Sequence, residues 1–288
     1  MSWGSEASLP AEQKRMPSFI CVGPPRTATS WLHLILSGHA GLPEGTKETH
    51  FFSRYYYKGR TWYESHFENC PDGLTLGEIC TSYFASPEAR QRISNDIPGC
   101  KIACTLREPV ERLYSYYKLA RHYGWARKRS FEEAFKKELR TPMISNYPLH
   151  IKGWREAVGK ENVLVLLYDD LIAAPQDYLT TLYRFIGVAM PAASHAELTM
   201  RVNDVERSPR SWRLARLAGK LEFWLASQRR FAALERLKAS ALWRFCTDGG
   251  DPFPPLSPEL RRRLQGLFSP LVAELEALLQ RDLSAWKV

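Results

Sequence analysis

An alternation of short apolar runs and helical stretches constrains the fold of this chain most. Phe19 to Gly23 form an apolar run rich in strand-forming residues, and Trp31 to Leu36 follow with helical character after a short loop. Cys100 to Leu106 and the stretch after Pro109 repeat this order, and Asn162 to Tyr168 is a third predicted strand. Helical crossovers between strands are typical of parallel pairing. The alternation therefore predicts an α/β fold with a central, mainly parallel sheet flanked by helices on both faces.

The remainder of the chain is predicted to extend this one unit. Residues 1–17 form a polar leader, and 18–288 form a single domain. Within it, residues 208–255 are a basic helical segment, and a last helix is predicted to begin at the capping residue Ser257 and to reach Leu279. The C-terminal region is therefore predicted to be helical.

An apolar stripe runs through the basic segment at helical spacing: Leu214, Leu217, Leu221, Trp224 and Leu225. Such a stripe is typical of a packed core or of a dimer seam. Because it is interleaved with Arg and Lys, it could instead lie on an anionic membrane or on nucleic acid, or flank an acceptor cleft. The sequence leaves these interpretations open.

The charge balance indicates an anionic partner. Lys and Arg number 40 and Asp and Glu number 31, so the formal net charge is +9. No apolar run approaches the roughly 20 residues that span a bilayer, and the N-terminus lacks the apolar core of a secretory signal. The six cysteines form no CxxC pair, which predicts reduced thiols in a cytoplasmic protein rather than a disulfide framework or a zinc site.

The loop from Gly23 to Ser30 has the composition of a phosphate-binding turn. A strand-to-helix turn directs backbone N–H groups and the positive end of the helix dipole at one spot. The loop adds a cation, a small residue and three hydroxyls: Arg26, Ala28, Thr27, Thr29 and Ser30. Compared with the Walker pattern GxxxxGK[ST], the lysine position holds Thr29. The loop therefore favours one phosphate over the β/γ pair of a nucleoside triphosphate with Mg²⁺.

A second anion site is predicted where the next strand ends. Arg107 follows this strand, at the edge where ligands collect in open α/β sheets, and Ser115 lies about two helical turns further on. The two side chains could bind one phosphate from two sides. The alternative is that Arg107 pairs with Glu108 or Glu111 and that Ser115 is a surface serine.

Taken together, the two motifs resemble the cofactor signature of sulfotransferases that use 3′-phosphoadenosine 5′-phosphosulfate (PAPS). The resemblance implies that the first loop binds the 5′-phosphosulfate and that Arg107 and Ser115 of R-x-P-x-x-R-x-x-S-x-Y bind the 3′-phosphate. Arg26 stands where heparan-sulfate-type members carry a catalytic lysine. The stretch that begins with Arg201-Val202-Asn203 resembles the basic loop that closes over the nucleotide in this family. The resemblance implies that Arg207 and Arg210 are cofactor contacts.

A third motif, Lys47-Glu48-Thr49-His50-Phe51-Phe52, resembles the K-E-x-H-F-F of glucosaminyl sulfotransferases of the heparan sulfate type. The resemblance implies that Glu48 is the general base toward the acceptor hydroxyl, with Lys47 near the transferred group and His50 assisting. The acidic residue that follows F-F in that family is Ser53 here. The alternative is a surface Lys–Glu pair beside two packed aromatic residues.

The sequence thus predicts a sulfotransferase with PAPS as co-substrate, PAP as product and no metal. The expected acceptor carries a hydroxyl or amine and is acidic or sugar-containing, such as a carbohydrate or glycolipid. The expected setting is a bacterial cytoplasm, with peripheral membrane contact open and no nucleic acid as partner. Two alternatives remain: a P-loop kinase or NTPase, for which Leu164 to Asp170 resembles a Walker B strand, and a non-enzymatic basic module that binds membranes or nucleic acid.

Overall fold

The computed structural model describes residues 15–287 apart from 127–129, 138–140, 192–204 and 229. Four parallel strands form the central sheet in the order β2–β1–β3–β4: β1 (Phe19–Cys21), β2 (Gly77–Ile79), β3 (Lys101–Leu106) and β4 (Val163–Leu167). Phe19 pairs with Gly77 on one side and with Lys101 on the other, and Leu106 pairs with Leu167. The predicted parallel sheet is confirmed.

The edge strand β2 is the one strand of this sheet that the sequence pattern does not predict. It is only three residues long and contains Gly77 and Glu78, both uncommon in strands. A Cβ atom at Gly77 would lie 2.0 Å from Cζ of Phe19, so the glycine allows the two strands to pair while the Phe19 ring packs over Gly77.

Helices connect and cover the strands: α1 (Thr29–Leu36), α2 (Arg60–Glu64), α3 (Pro87–Asp96), α4 (Pro109–His122), α5 (Phe131–Lys137), α6 (Thr141–Ile144), α7 (Tyr147–Val158), α8 (Tyr168–Ala173) and α9 (Pro175–Ile186). After them come β5 (Arg207–Pro209), α10 (Trp212–Ser227), α11 (Phe231–Ala239), α12 (Ala241–Thr247), β6 (Gly249–Pro252) and α13 (Pro258–Leu279). The cap predicted at Ser257 is confirmed, because its side chain accepts a hydrogen bond from the Leu260 N–H at 3.2 Å.

Both faces of the sheet are covered by apolar packing. One cluster joins the sheet to α3, α4, α7 and α13, with Leu113, Trp154 and Phe268 among its buried side chains. The other joins the sheet to α1, α8 and α9 and includes Trp31 and Leu182. The loops at the carboxyl ends of the strands therefore rest on a sheet that is anchored from both sides.

The basic segment forms a helical unit on α4. The strands β5 and β6 pair antiparallel, so part of the stretch after Asp248 is a strand where the sequence indicates only a break. Leu225 is buried, as the stripe predicts. The core interpretation is wrong for the other four stripe residues, which face solvent: Leu214, Leu217, Leu221 and Trp224.

Two further predictions concern the N-terminal leader and membrane-spanning segments. Residues 1–14 of the predicted leader lie outside the described residues, whereas Arg15 donates hydrogen bonds to the carbonyls of Phe67 and Cys70 at 2.9 and 2.8 Å. Among the described helices, none combines the length and the apolar character needed to cross a bilayer.

Candidate active site

The turn from β1 into α1 is shaped by two residues in the left-handed region of backbone conformation. Arg26 has a φ of 75° and Ala28 a φ of 63°. Left-handed residues between right-handed ones turn successive N–H groups into one concavity, a common anion site, and the N-terminus of α1 adds its dipole. Gly23 lets the loop lie against β3, since a Cβ there would be 3.1 Å from the Thr105 nitrogen. Thr27 is buried and its hydroxyl donates to the Pro24 carbonyl at 2.7 Å, so its backbone N–H is what it can offer to an anion.

Lys47 reaches this loop from the third motif. Its ammonium donates to the hydroxyls of Thr29 and Ser30, at 3.1 and 3.3 Å, in the first turn of α1. It also donates to Oε1 of Glu48 at 3.2 Å. A cation from a later segment thus lies beside Thr29, the position of the Walker lysine, and it joins the predicted phosphate-binding loop to the predicted base.

Glu48 is held by donors on both oxygens. Besides the Lys47 contact on Oε1, Oε2 accepts from the backbone N–H and the hydroxyl of Thr81, both at 2.9 Å. Burial alone would raise the pKa of Glu48, but the charges of Lys47 and His50 and the Thr81 hydrogen bonds outweigh it, so the pKa lies below its usual value. Glu48 is therefore a carboxylate at neutral pH, the form that can accept a proton.

His50 lies beside this carboxylate in a left-handed backbone conformation. Its Nδ1 is 2.9 Å from the Ser82 hydroxyl and 4.0 Å from Oε2 of Glu48. Burial lowers the pKa of His50 below its usual value, with Arg54 and Lys47 adding to the effect and Glu48 opposing it. The imidazole is therefore neutral near pH 7 and can exchange hydrogen bonds with a hydroxyl neighbour.

Cys80 joins Glu48 and His50 in a cluster that sequence spacing does not reveal. The three ligand atoms lie within 4.8 Å of one another, and Sγ of Cys80 is 3.6 Å from Nδ1 of His50. These are metal-binding residue types, but the Lys47 ammonium beside the carboxylate repels a cation there. The cluster therefore fits hydrogen bonding around the base better than metal binding.

Glu78 is a buried carboxylate that the sequence analysis missed. It accepts hydrogen bonds from the N–H and hydroxyl of Thr49, at 3.0 and 2.6 Å, and from the hydroxyls of Tyr63 and Tyr83. It thereby fixes the backbone between Glu48 and His50. A signal was available, since a lone acidic residue within the apolar stretch Leu76 to Cys80 points to a carboxylate with a structural partner.

Ser115 and Arg26 meet across the site. The Arg26 Nε donates to Oγ of Ser115 at 2.8 Å, which joins the loop to the middle of α4. Arg107 lies 3.6 Å from a carboxylate oxygen of Glu111 and stacks over the Tyr168 ring, 4.6 Å from its centroid. Of the two predicted phosphate ligands, Ser115 thus contacts Arg26 in the loop. Arg107 lies beside Glu111, which is the ion pair that the sequence offers as the alternative to phosphate binding.

The other predicted contacts lie on the β5–β6 pair, which packs against α4. Arg207 and Arg210 are both exposed, and Arg210 donates to the Gly249 carbonyl at 3.1 Å and lies over the Phe245 ring. Arg201, Val202 and Asn203 lie outside the described residues. The hairpin therefore brings two arginines to the helix that carries Ser115.

The acids of the Walker B alternative are engaged elsewhere. Asp169 accepts from the Trp286 indole at 2.5 Å, and Asp170 pairs with Arg281. Both therefore hold the C-terminal end of the chain against α8, which gives them a structural role.

Comparison with known proteins identifies the family. A family model described as the sulfotransferase domain matches residues 16–206. The human bifunctional heparan sulfate N-deacetylase/N-sulfotransferase 3 is 29% identical over 206 residues, which cover 64% of this chain and 23% of that protein. The mouse bifunctional heparan sulfate N-deacetylase/N-sulfotransferase 4 is 27% identical over 290 residues, covering 92% and 30%. The chain thus spans less than a third of the length of these relatives.

The fold agrees with a solved sulfotransferase. The crystal structure of a sulfotransferase from Alicyclobacillus acidocaldarius superposes with a TM-score of 0.66 at 24% identity, covering 94% of this chain and 98% of that one. This likeness supports the parallel-sheet architecture over nearly the whole chain. Together with the match over residues 16–206, it leads to one conclusion: the chain belongs to the sulfotransferase domain family.

Proposed function

We propose that this sulfotransferase moves a sulfuryl group from PAPS to a hydroxyl or amine of its acceptor, with Glu48 as general base. One observation carries the proposal above the others. The Lys47 ammonium contacts both the hydroxyls of the phosphate-type loop and the Glu48 carboxylate, at 3.1 to 3.3 Å. A single cation therefore joins the group that would hold the donor to the group that would activate the acceptor.

The residues at the loop fit the phosphate end of the donor. The left-handed conformations of Arg26 and Ala28 turn N–H groups toward one concavity, and Thr29 and Ser30 add hydroxyls at the N-terminus of α1. Lys47 supplies the fixed positive charge that such a site needs. In the proposed site these groups hold the 5′-phosphosulfate, and no divalent metal is needed to balance its charge.

Ser115 is the strongest proposed ligand of the 3′-phosphate. It is nearly buried in the middle of α4 and already accepts a hydrogen bond from Arg26. Arg107 would assist by exchanging its Glu111 partner, 3.6 Å away, for the phosphate. Arg207 and Arg210 are proposed to add charge from the hairpin on α4.

In the proposed reaction Glu48 accepts the proton of the attacking group, and His50 positions that group. The donor supplies a sulfuryl group, whose bond to the bridging phosphate oxygen breaks while a bond to the acceptor oxygen or nitrogen forms. Lys47, Arg26 and the loop N–H groups stabilise the negative charge left on PAP, the desulfated product. The lowered pKa of Glu48 keeps the base ionised before the reaction begins.

The acceptor is proposed to be a carbohydrate or a molecule that carries one. The relatives named above are heparan sulfate N-sulfotransferases. Downstream of Glu48 the chain presents rings beside a cation, with the Lys58 ammonium 4.6 Å from the Trp62 centroid and 5.0 Å from that of Tyr55. Rings of this kind stack on sugars, and the cation favours an acidic one.

Calorimetric titration tests the donor assignment. PAP should bind the protein without metal, and ATP with Mg²⁺ should bind far more weakly, because the loop lacks its own lysine at Thr29. Ser115→Ala and Arg107→Ala should each weaken PAP binding, and the matched variant Arg262→Ala, an exposed arginine on α13, should not. Preference for ATP, or equal PAP binding by all variants, would overturn the proposal.

A further inference from the structure

The outer side of α10 carries two adjacent stripes with different chemistry. An apolar stripe at spacings of three and four residues faces solvent, with its side chains between 37% and 61% exposed: Leu214, Leu217, Leu221 and Trp224. Beside it, at the same spacing, runs an exposed basic stripe: Arg213, Arg216 and Lys220. At 100° per residue the two stripes lie next to each other on the helix surface. Together these seven residues are called the outer face of α10.

The opposite side of the same helix anchors it to the protein. Ala215, Ala218 and Leu225 are buried. The turn after α4 comes so close that a Cβ on Gly124 would lie 2.3 Å from the Trp212 carbonyl oxygen. The outer face is therefore presented on a packed helix, and its exposure is a property of the folded protein.

Most of the charge of the protein lies in this segment. The basic segment, residues 208–255, contains nine Lys and Arg, two Glu and two Asp, so its net charge is 9 − 4 = +5. The whole chain carries +9, which leaves 9 − 5 = +4 for the other 240 residues. Glu222, the one acid of α10, pairs with Lys238 at 2.6 Å and does not offset the basic stripe.

We propose that the outer face of α10 docks on an anionic phospholipid surface. Exposed Leu and Trp side chains insert at the boundary between head groups and acyl chains, while flanking Arg and Lys contact lipid phosphates. Charge complementarity selects this occupant over a second copy of the chain. A second copy of the chain would bring the same excess of positive charge to the contact, which opposes self-association of this face.

The position of α10 connects this surface with the proposed catalytic site. The turn after α4 packs against α10 at Trp212, and the middle of α4 carries Ser115, whose Oγ accepts a hydrogen bond from Arg26. A bilayer on the outer face would thus lie on the far side of α10 from α4, one helix away from the helix that carries Ser115. The inference stands on the exposure and charge of α10 and does not depend on the identity of the donor.

Co-sedimentation with lipid vesicles tests the inference. The protein should bind vesicles of phosphatidylcholine mixed with phosphatidylglycerol and bind pure phosphatidylcholine weakly. Each basic side chain near an anionic bilayer strengthens binding by about fivefold, so the loss of three in Arg213→Gln/Arg216→Gln/Lys220→Gln should weaken binding by about a hundredfold. Leu217→Gln/Leu221→Gln should lose about tenfold or more through its apolar contacts.

Matched controls separate docking from general surface effects. Leu267 on α13 has the same 61% exposure as Leu217, so Leu267→Gln should bind vesicles like the wild type, as should Arg262→Gln. All variants change exposed side chains, and unchanged thermal unfolding would verify that each is folded. Equal binding to both vesicle types, or equal loss in the controls, would overturn the inference.

Two other outcomes would assign the face to a different partner. A dimer seen by light scattering in the wild type and lost in Leu217→Gln/Leu221→Gln would make the stripe a subunit interface. Tighter binding to DNA than to vesicles, lost in the charge variant but not in the leucine variant, would make it a nucleic-acid surface. Either result would refute membrane docking.

Discussion

Replacing Glu48 by glutamine separates the proposed base from the structure around it. The amide oxygen can still accept both Thr81 hydrogen bonds at Oε2, so the backbone between Glu48 and His50 should keep its position. What the variant loses is the charged acceptor of the Lys47 ammonium at Oε1, 3.2 Å away, and the ability to take up a proton. The substitution therefore tests the chemistry of Glu48 with little change in shape.

The expected effects on rate and on stability differ widely. A general base contributes about 10² to 10⁴ in rate, which corresponds to about 3 to 5 kcal/mol of activation free energy. The Lys47–Glu48 ion pair is partly exposed, so its loss should lower the free energy of unfolding by at most about 1 kcal/mol. PAP affinity should stay the same or rise, because Lys47 no longer shares its charge with a carboxylate.

The measurement combines turnover of PAPS with calorimetric titration of PAP. The matched control is Glu64→Gln, which removes a comparable carboxylate from its pair with Arg60 at 2.9 Å and should leave the rate unchanged. A Glu48→Gln protein with wild-type turnover would refute the role of Glu48. Loss of PAP binding together with turnover would show that the residue holds the site together instead.

Four further predictions concern the pKa of the proposed base, the need for a metal ion and the stability of the site. Lys47→Met should lower kcat and move the acidic limb of kcat/KM to higher pH. The limb should move because the Lys47 charge helps to hold the pKa of Glu48 below its usual value. A pH–rate profile checks both effects. In the wild type the acidic limb of kcat should lie above that of kcat/KM for the donor, since a bound anion offsets the Lys47 charge, and coincident limbs would contradict this. Transfer should survive EDTA because Lys47 and Arg26 supply the positive charge, and a rate loss restored by Mg²⁺ would argue otherwise. Glu78→Ala should lower the free energy of unfolding by about 3 kcal/mol or more, measured in urea, because it leaves Thr49 and two buried tyrosine hydroxyls without their acceptor.

The sequence predicts the frame of the site well because parallel strands place their following loops at one edge. Arg26 in the loop after β1 and Ser115 in the motif after β3 are 89 residues apart in the chain, yet β1 and β3 are neighbours in the sheet. The hydrogen bond from Arg26 to Ser115 follows from that adjacency. Once the two strands and their helices are recognised, this part of the site follows from general rules of α/β folds.

The surroundings of Glu48 could not be predicted because they depend on β2. Thr81 reaches Glu48 and Ser82 reaches His50 only because Gly77–Ile79, shortly before them in the chain, pairs with β1. That pairing depends on a glycine packed against the Phe19 ring rather than on an apolar alternation. The exposure of Leu217 was likewise invisible, since a helical apolar stripe has the same pattern whether another element covers it or solvent does.

In the proposed site, the placement of Lys47 explains how a loop without a lysine would hold a phosphate. In a Walker loop the cation and the phosphate cradle belong to one segment. Here the cation comes from the residue directly before Glu48, so the same short segment touches the cradle and carries the proposed base. A phosphate group bound at the loop would offset the positive charge of Lys47, which lowers the pKa of Glu48. The pKa of Glu48 would therefore rise, and the carboxylate would become a stronger base. In the proposed reaction, one ammonium group thereby couples donor binding to acceptor activation, and Lys47 would link the two steps without any change in the fold.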